Sequence, residues 1–112
     1  MKESDPHGKD PHEGGAKLDA GKPDCSLLLL YGRALSEVAR LSAVGAKKYS
    51  RGGWQDVPDG ENRYTAAMLR HLFKENESMV DDDTGCLHAT CVAWNALSRL
   101  ELMLRRLETN EE

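Results

Sequence analysis

The sequence predicts an all-α protein, a compact bundle of three main helices completed by oligomerisation. Three observations lead there. Apolar residues recur at three- and four-residue spacing in three successive segments, glycine- and proline-rich breaks separate them, and no run shows the period-two alternation or hairpin turn of a sheet. A chain of 112 residues supports one domain with one modest core, so apolar surface left over by three helices is expected to be covered by further copies of the chain.

Residues 1–15 hold two Asp-Pro pairs, three glycines, His7 and His12, and almost no apolar side chain. Burial cannot offset the ordering entropy of such a segment, which reads as a disordered tail. Residues 16–108 read as a single helical domain. Its lead, with Lys17, Asp19, Gly21, Lys22 and Pro23, is polar and turn-prone and precedes the run Leu27–Leu30. The first helix is expected from about Gly32 to Tyr49, on the recurrence of Ala34, Leu35, Val38, Leu41 and Val44. Gly52-Gly53 breaks it, and Pro58-Asp59-Gly60 turns the chain into the second. That helix, from about Glu61 to Glu77, sets Tyr64, Met68, Leu69, Leu72 and Phe73 on one side. An acidic turn, Asp81-Asp82-Asp83-Thr84-Gly85, follows, and Asp83 or Thr84 is expected to cap the third helix, which runs to about Leu107. Leu87, Val92, Trp94, Leu97, Leu100, Leu104 and Leu107 form its apolar stripe.

Composition excludes several classes of function. A formal charge of -4 argues against a nucleic acid polymer as partner, because binding a phosphate polymer calls for a net basic face. A single small anion needs only a local cluster of cations. No apolar run approaches the roughly 20 residues that span a bilayer, and the N-terminus has no signal-peptide character, so a cytoplasmic location, with no membrane partner, is expected. Three cysteines, Cys25, Cys86 and Cys91, with no CxxC pair, fit a reducing compartment and speak against a disulfide scaffold.

The segment from Gly45 to Trp54 places Lys47, Lys48, Tyr49, Arg51 and Trp54 around a glycine pair at a helix end. Lysines there also complement the helix dipole, but the dipole does not explain Arg51, Gly52, Gly53 and Trp54. Cations beside aromatic rings suit an anion that carries a flat ring, and a nucleotide is the commonest such ligand. On the second helix Arg63 and Arg70 lie seven apart and share a face, as do Tyr64 and His71 on the neighbouring line. On the third, His88, Cys91, Asn95 and Arg99 form a polar stripe. Solvent is the ordinary destination of such a stripe, less so for His88 and Asn95, which need partners if they point inward. Lys17 and Lys22 complete the candidate ligand-binding set. Hydrolysis of a triphosphate normally uses Mg²⁺ or Mn²⁺ held by carboxylates. Glu37, Glu77 and Asp81 are the candidate metal ligands, with Glu75, Asp82 and Asp83 nearby, and no side chain is assigned as catalytic.

Four ordered stretches resemble one known family. They are Gly15-Ala16-Lys17-Leu18-Asp19-Ala20-Gly21-Lys22-Pro23, Val44–Tyr49 with Gly53-Trp54, Arg63-Tyr64 with Arg70-His71-Leu72, and Leu87-His88 with Ala93-Trp94-Asn95-Ala96-Leu97. Together they look like the phage dATP/dGTP diphosphohydrolase N-terminal family over about Gly15 to Glu101. The resemblance implies a helical phage protein of the host cytoplasm that is concerned with purine deoxynucleotides, in the context of MazG-like pyrophosphohydrolases. Such enzymes split a nucleoside triphosphate into monophosphate and pyrophosphate with Mg²⁺ or Mn²⁺. The paired-glutamate motif of MazG-like enzymes is absent here, and where the family's third helix often reads HxxH this chain has His88 and Cys91. Two functions follow as expectations: a metal-dependent dATP/dGTP pyrophosphohydrolase, or a cofactor-free nucleotide sponge that sequesters an immune signal. The partner in either case is a small-molecule nucleotide bound by a homo-oligomer.

Overall fold

The structure, a computed structural model, describes residues 2–110. The chain divides into two compact units, the first ending at Tyr31 and the second beginning at Gly32.

In the first unit the Asp5 carboxylate is buried and accepts the backbone N–H groups of His7 and Lys17, at 2.6 and 2.9 Å. Ala20 N–H donates to the Ser4 carbonyl, and Lys22 pairs with Glu3 at 2.6 Å, so residues before and after Gly15 are joined locally. A short 3₁₀ segment, Cys25–Tyr31, carries the leucine run, all of it exposed.

The second unit is helical, as the periodicity predicts: α1 (Gly32–Lys48), a 3₁₀ turn (Gly53–Asp56), α2 (Gly60–Lys74) and α3 (His88–Thr109). Helices α2 and α3 form an antiparallel hairpin. Glu61 near the start of α2 takes a two-pronged hydrogen bond from Arg106 near the end of α3, at 2.8 and 3.2 Å, while His71 near the end of α2 meets His88 at the start of α3. Between those ends Arg99 donates to the Thr65 hydroxyl at 2.7 Å. Helix α1 packs on α3, with Trp94 Nε1 donating to Ser42 Oγ at 3.1 Å.

Two boundaries depart from expectation. Helix α2 stops at Lys74 rather than near Glu77, because Asn76 and Glu77 donate to the carbonyls three residues back, which tightens the chain out of the α-helical path. Helix α3 starts at His88 with Leu87 at its cap, so neither Asp83 nor Thr84 serves there. Those residues belong to a closed loop: Val80 pairs with Leu87 in an isolated antiparallel bridge, Asp81 N–H donates to the Cys86 carbonyl, and Gly85 takes a φ of 74° that favours glycine. Thr84 turns its hydroxyl to Asp81 instead.

The core is small. Leu41, Cys86 and Cys91 are buried, with Trp94 packed against them. Helix α3 encloses His88, Thr90, Cys91, Asn95 and Ser98, whereas the leucines expected to face inward stay about half exposed, at 55% for Leu97, 48% for Leu100, 54% for Leu104 and 51% for Leu107. The polar stripe thus lies inward at His88, Cys91 and Asn95, the direction the sequence left open for His88 and Asn95. Short side chains let helices approach closely, and the inward polar groups find partners inside the fold: Asn95 donates to the Cys91 carbonyl one turn back at 2.8 Å. Among the described residues no helix is long and apolar enough to cross a membrane.

Candidate functional site

Three rings from three parts of the second unit meet edge to face. Trp54 in the 3₁₀ turn lies 6.4 Å from Tyr64 of α2 and 6.1 Å from Trp94 of α3, and Tyr64 and Trp94 are 5.5 Å apart. Such packing is favoured by the ring quadrupoles. The arrangement is locked by Tyr64, whose hydroxyl donates to the Trp54 carbonyl at 2.6 Å. The glycines before Trp54 serve the turn itself: Gly52 sits at φ 75°, and a Cβ on Gly53 would collide with the Ser50 hydroxyl.

Beside this cluster opens a cleft of about 460 Å³, lined by residues of α1, the Trp54 turn and α3. Its floor is apolar, from Val38, Trp54, Trp94 and Leu97, and its polar groups are Ser42, Ser98, Glu101 and Arg105. The Arg105 guanidinium lies 5.9 Å from the Trp54 ring and also bonds Gln55 at 2.8 Å and Glu101 at 2.7 Å. A planar cation over the half-buried Trp54 indole is chemistry suited to a flat, anionic guest.

A second constellation shares no residue with the cleft. His71, Asp81 and His88 bring one donor atom each to within 4.8 Å of one another, and the two imidazole Nδ1 atoms are 2.9 Å apart. His88 and Asp81 are buried and His71 is half-buried. Each comes from a different place: the last turn of α2, the closed loop, and the first residue of α3. Thr84 fixes the Asp81 carboxylate through its N–H and hydroxyl, at 3.2 and 2.7 Å, both to Oδ2. Burial pushes the Asp81 carboxyl up, but the Thr84 bonds and the neighbouring histidines outweigh it and hold the group below the ordinary carboxylate range. Burial above all lowers the His71 imidazole; Asp81 opposes this, while His88, Lys74 and Arg70 add to it. Burial pushes the Cys91 thiol up, which keeps it protonated near neutrality.

The other candidate residues are dispersed in their engagements. Lys48 pairs with Asp83 at 2.8 Å and lies 5.3 Å from the ring of Tyr49, which is 78% exposed. Arg63 donates to the Pro58 carbonyl at 3.2 Å, and Lys47, Arg51 and Arg70 are exposed. Lys17 and Lys22 belong to the first unit. Glu37 pairs with Arg40 at 2.9 Å and Glu77 is exposed, and neither joins Asp81 in the cluster. Sequence reasoning missed Ser42 and Arg105, and it read Trp94 as core alone. The spacing Trp94, Ser98, Glu101, Arg105 places all four on one face of α3, and that pattern was the available signal.

Residues 12–112 match the family described as dATP/dGTP diphosphohydrolase, N-terminal. Over 80 residues, 70% of the chain, the sequence is 39% identical to a protein of Salmonella phage PMBT28 named dATP/dGTP diphosphohydrolase. The match spans 26% of that phage protein, so the chain corresponds to about a quarter of its length. No solved structure matches. The class is therefore a small helical domain with an aromatic cleft. The chain belongs to the dATP/dGTP diphosphohydrolase N-terminal family.

Proposed function

We propose that the chain binds a purine deoxynucleoside triphosphate and takes part in its conversion to monophosphate and pyrophosphate. The observation that carries this reading is the cleft in which Trp54 and Trp94 expose ring surface beside Arg105. The indoles accept the base, since stacking is worth about 1–3 kcal/mol per base, and Arg105 faces the phosphates with its planar fork. In the reaction water attacks one phosphorus, and the leaving oxygen departs on pyrophosphate. Mg²⁺ or Mn²⁺ would neutralise the phosphate oxygens, but Glu37, Glu77 and Asp81 do not gather into a carboxylate cage for such a hard ion. No step is assigned to them.

A specific observation favours a second reading, sequestration without cleavage. Several acidic side chains that hydrolysis could recruit are engaged by cations: Glu37 by Arg40, Asp83 by Lys48 and Glu61 by Arg106. One experiment separates the two. The full chain is titrated with dATP and dGTP, tryptophan fluorescence is followed, and the recovered nucleotide is checked for integrity in the presence of Mg²⁺ or Mn²⁺. Quenching with release of pyrophosphate is the expected result, and quenching with intact ligand selects the sponge. Arg105→Ala should weaken binding about tenfold or more, the loss of one charged hydrogen bond. Absence of any quenching by purine nucleotides overturns both readings.

A further inference from the structure

The geometry points to a binding site for one divalent transition-metal ion formed by His71, Asp81 and His88. This assignment stands independently of the nucleotide reading and would hold even if the chain turned over no substrate. Three observations carry it. The donor atoms converge without help from solvent-exposed carboxylates: all lie within 4.8 Å of one another. Metal bonds to imidazole and carboxylate run at about 2.0–2.2 Å, so donors on one ion can stand at most about 4.4 Å apart. That limit is a straight line through the ion; donors on a tetrahedral ion stand about 3.4 Å apart, so closing the widest pair calls for a shift of up to about 1.4 Å. The 2.9 Å between the two Nδ1 atoms already corresponds to an angle of about 90° at an ion with bonds of about 2.05 Å.

The donor set selects the class of ion. Two imidazoles with one carboxylate suit Zn²⁺, Co²⁺, Fe²⁺ or Ni²⁺, whereas Mg²⁺ prefers an all-oxygen shell. Three protein ligands leave at least one position for water or a phosphate oxygen. The surroundings are those of an oriented site, because Thr84 holds the carboxylate by two bonds and the loop carrying it is closed by the Val80–Leu87 bridge. Without a metal, the two facing nitrogens share one proton in an N–H···N hydrogen bond, and an ion bound there would take that proton's place between them.

The test uses the full chain and Co²⁺ as probe. Titration of metal-free protein should give a visible d–d absorption that saturates at one equivalent, and Zn²⁺ should displace it while excess Mg²⁺ should not. Proton NMR of the unmutated chain supplies a readout that needs no folded variant. The chain has four histidines, and Co²⁺ should shift the imidazole signals of His71 and His88 while leaving those of His7 and His12 in place. His71→Gln and His88→Gln should each weaken Co²⁺ binding at least tenfold with helical circular dichroism retained, and a His7→Gln/His12→Gln variant should bind as before. Binding that follows the tail histidines, Mg²⁺ competing as well as Zn²⁺, or no absorption at all would overturn the assignment and leave a hydrogen-bonded histidine pair.

Discussion

Tyr64 shows how one hydroxyl can govern a site. Its O–H reaches the Trp54 carbonyl across the join between the 3₁₀ turn and α2, and burial raises its pKa above the usual phenol value, so it stays a donor throughout the neutral range. Replacing it with phenylalanine keeps the ring in place and orphans a half-buried carbonyl. Tyr64→Phe should cost about 1 kcal/mol in urea denaturation, and an unchanged midpoint would show that water satisfies the carbonyl equally well. At this scale the sequence was partly legible. Tyr64 and Trp54 stand out as rings beside cations, and His88 and Asn95 as polar residues ill-suited to solvent. Their partners were not legible, since His71 with His88 is a contact across 17 residues and Asn95 is satisfied by its own helix. Asp81 was singled out for its charge, but its enclosure by Thr84 depends on a loop closure that spacing alone does not encode.

The connecting elements decide what the helices present. The 3₁₀ turn exists because Gly52 can take φ 75° and because Gly53 leaves room for the Ser50 hydroxyl. Gly52→Ala would force an alanine into the left-handed region at roughly 1–2 kcal/mol, with a Cβ 2.9 Å from Gln55 Nε2. The expected outcome is a lower denaturation midpoint at unchanged m-value, together with a blue or red shift of the Trp54 emission. No change in either would mean that the turn tolerates another backbone path. Helix existence was readable from apolar periodicity, and all three helices lie where it places them. Their ends were less readable. Composition marks 81–85 as a turn, yet an acidic run before a helix resembles a cap, and here tertiary pairing between Val80 and Leu87 overrides that local preference.

Considered whole, the second unit has more apolar surface than three helices can hide. Leu97, Leu100, Leu104 and Leu107 follow a spacing of three, four and three along α3, the period of a two-helix seam; each is about half exposed, and the first three also line the cleft, so a partner seated there would form one of its walls. A second copy of the same helix is the occupant that such a seam fits, and self-association is the corresponding prediction. Sedimentation should report a species larger than one chain, and Leu104→Glu with Leu107→Glu should return it to a monomer with its helix content intact. A wild-type chain that sediments as a monomer at high concentration would remove this expectation. The helix period made the seam visible in the sequence, but which side of α3 faces the core was not, because small polar residues rather than leucines occupy the interior. Cys86, with 0% exposure, sits in the loop that carries Asp81 and is followed directly by the cap of α3. Its sulfur can meet an oxidant or electrophile only while that segment is open, so the thiol acts as a clock: its rate of chemical trapping counts how often the loop unlatches, and anything that clamps the loop slows the count.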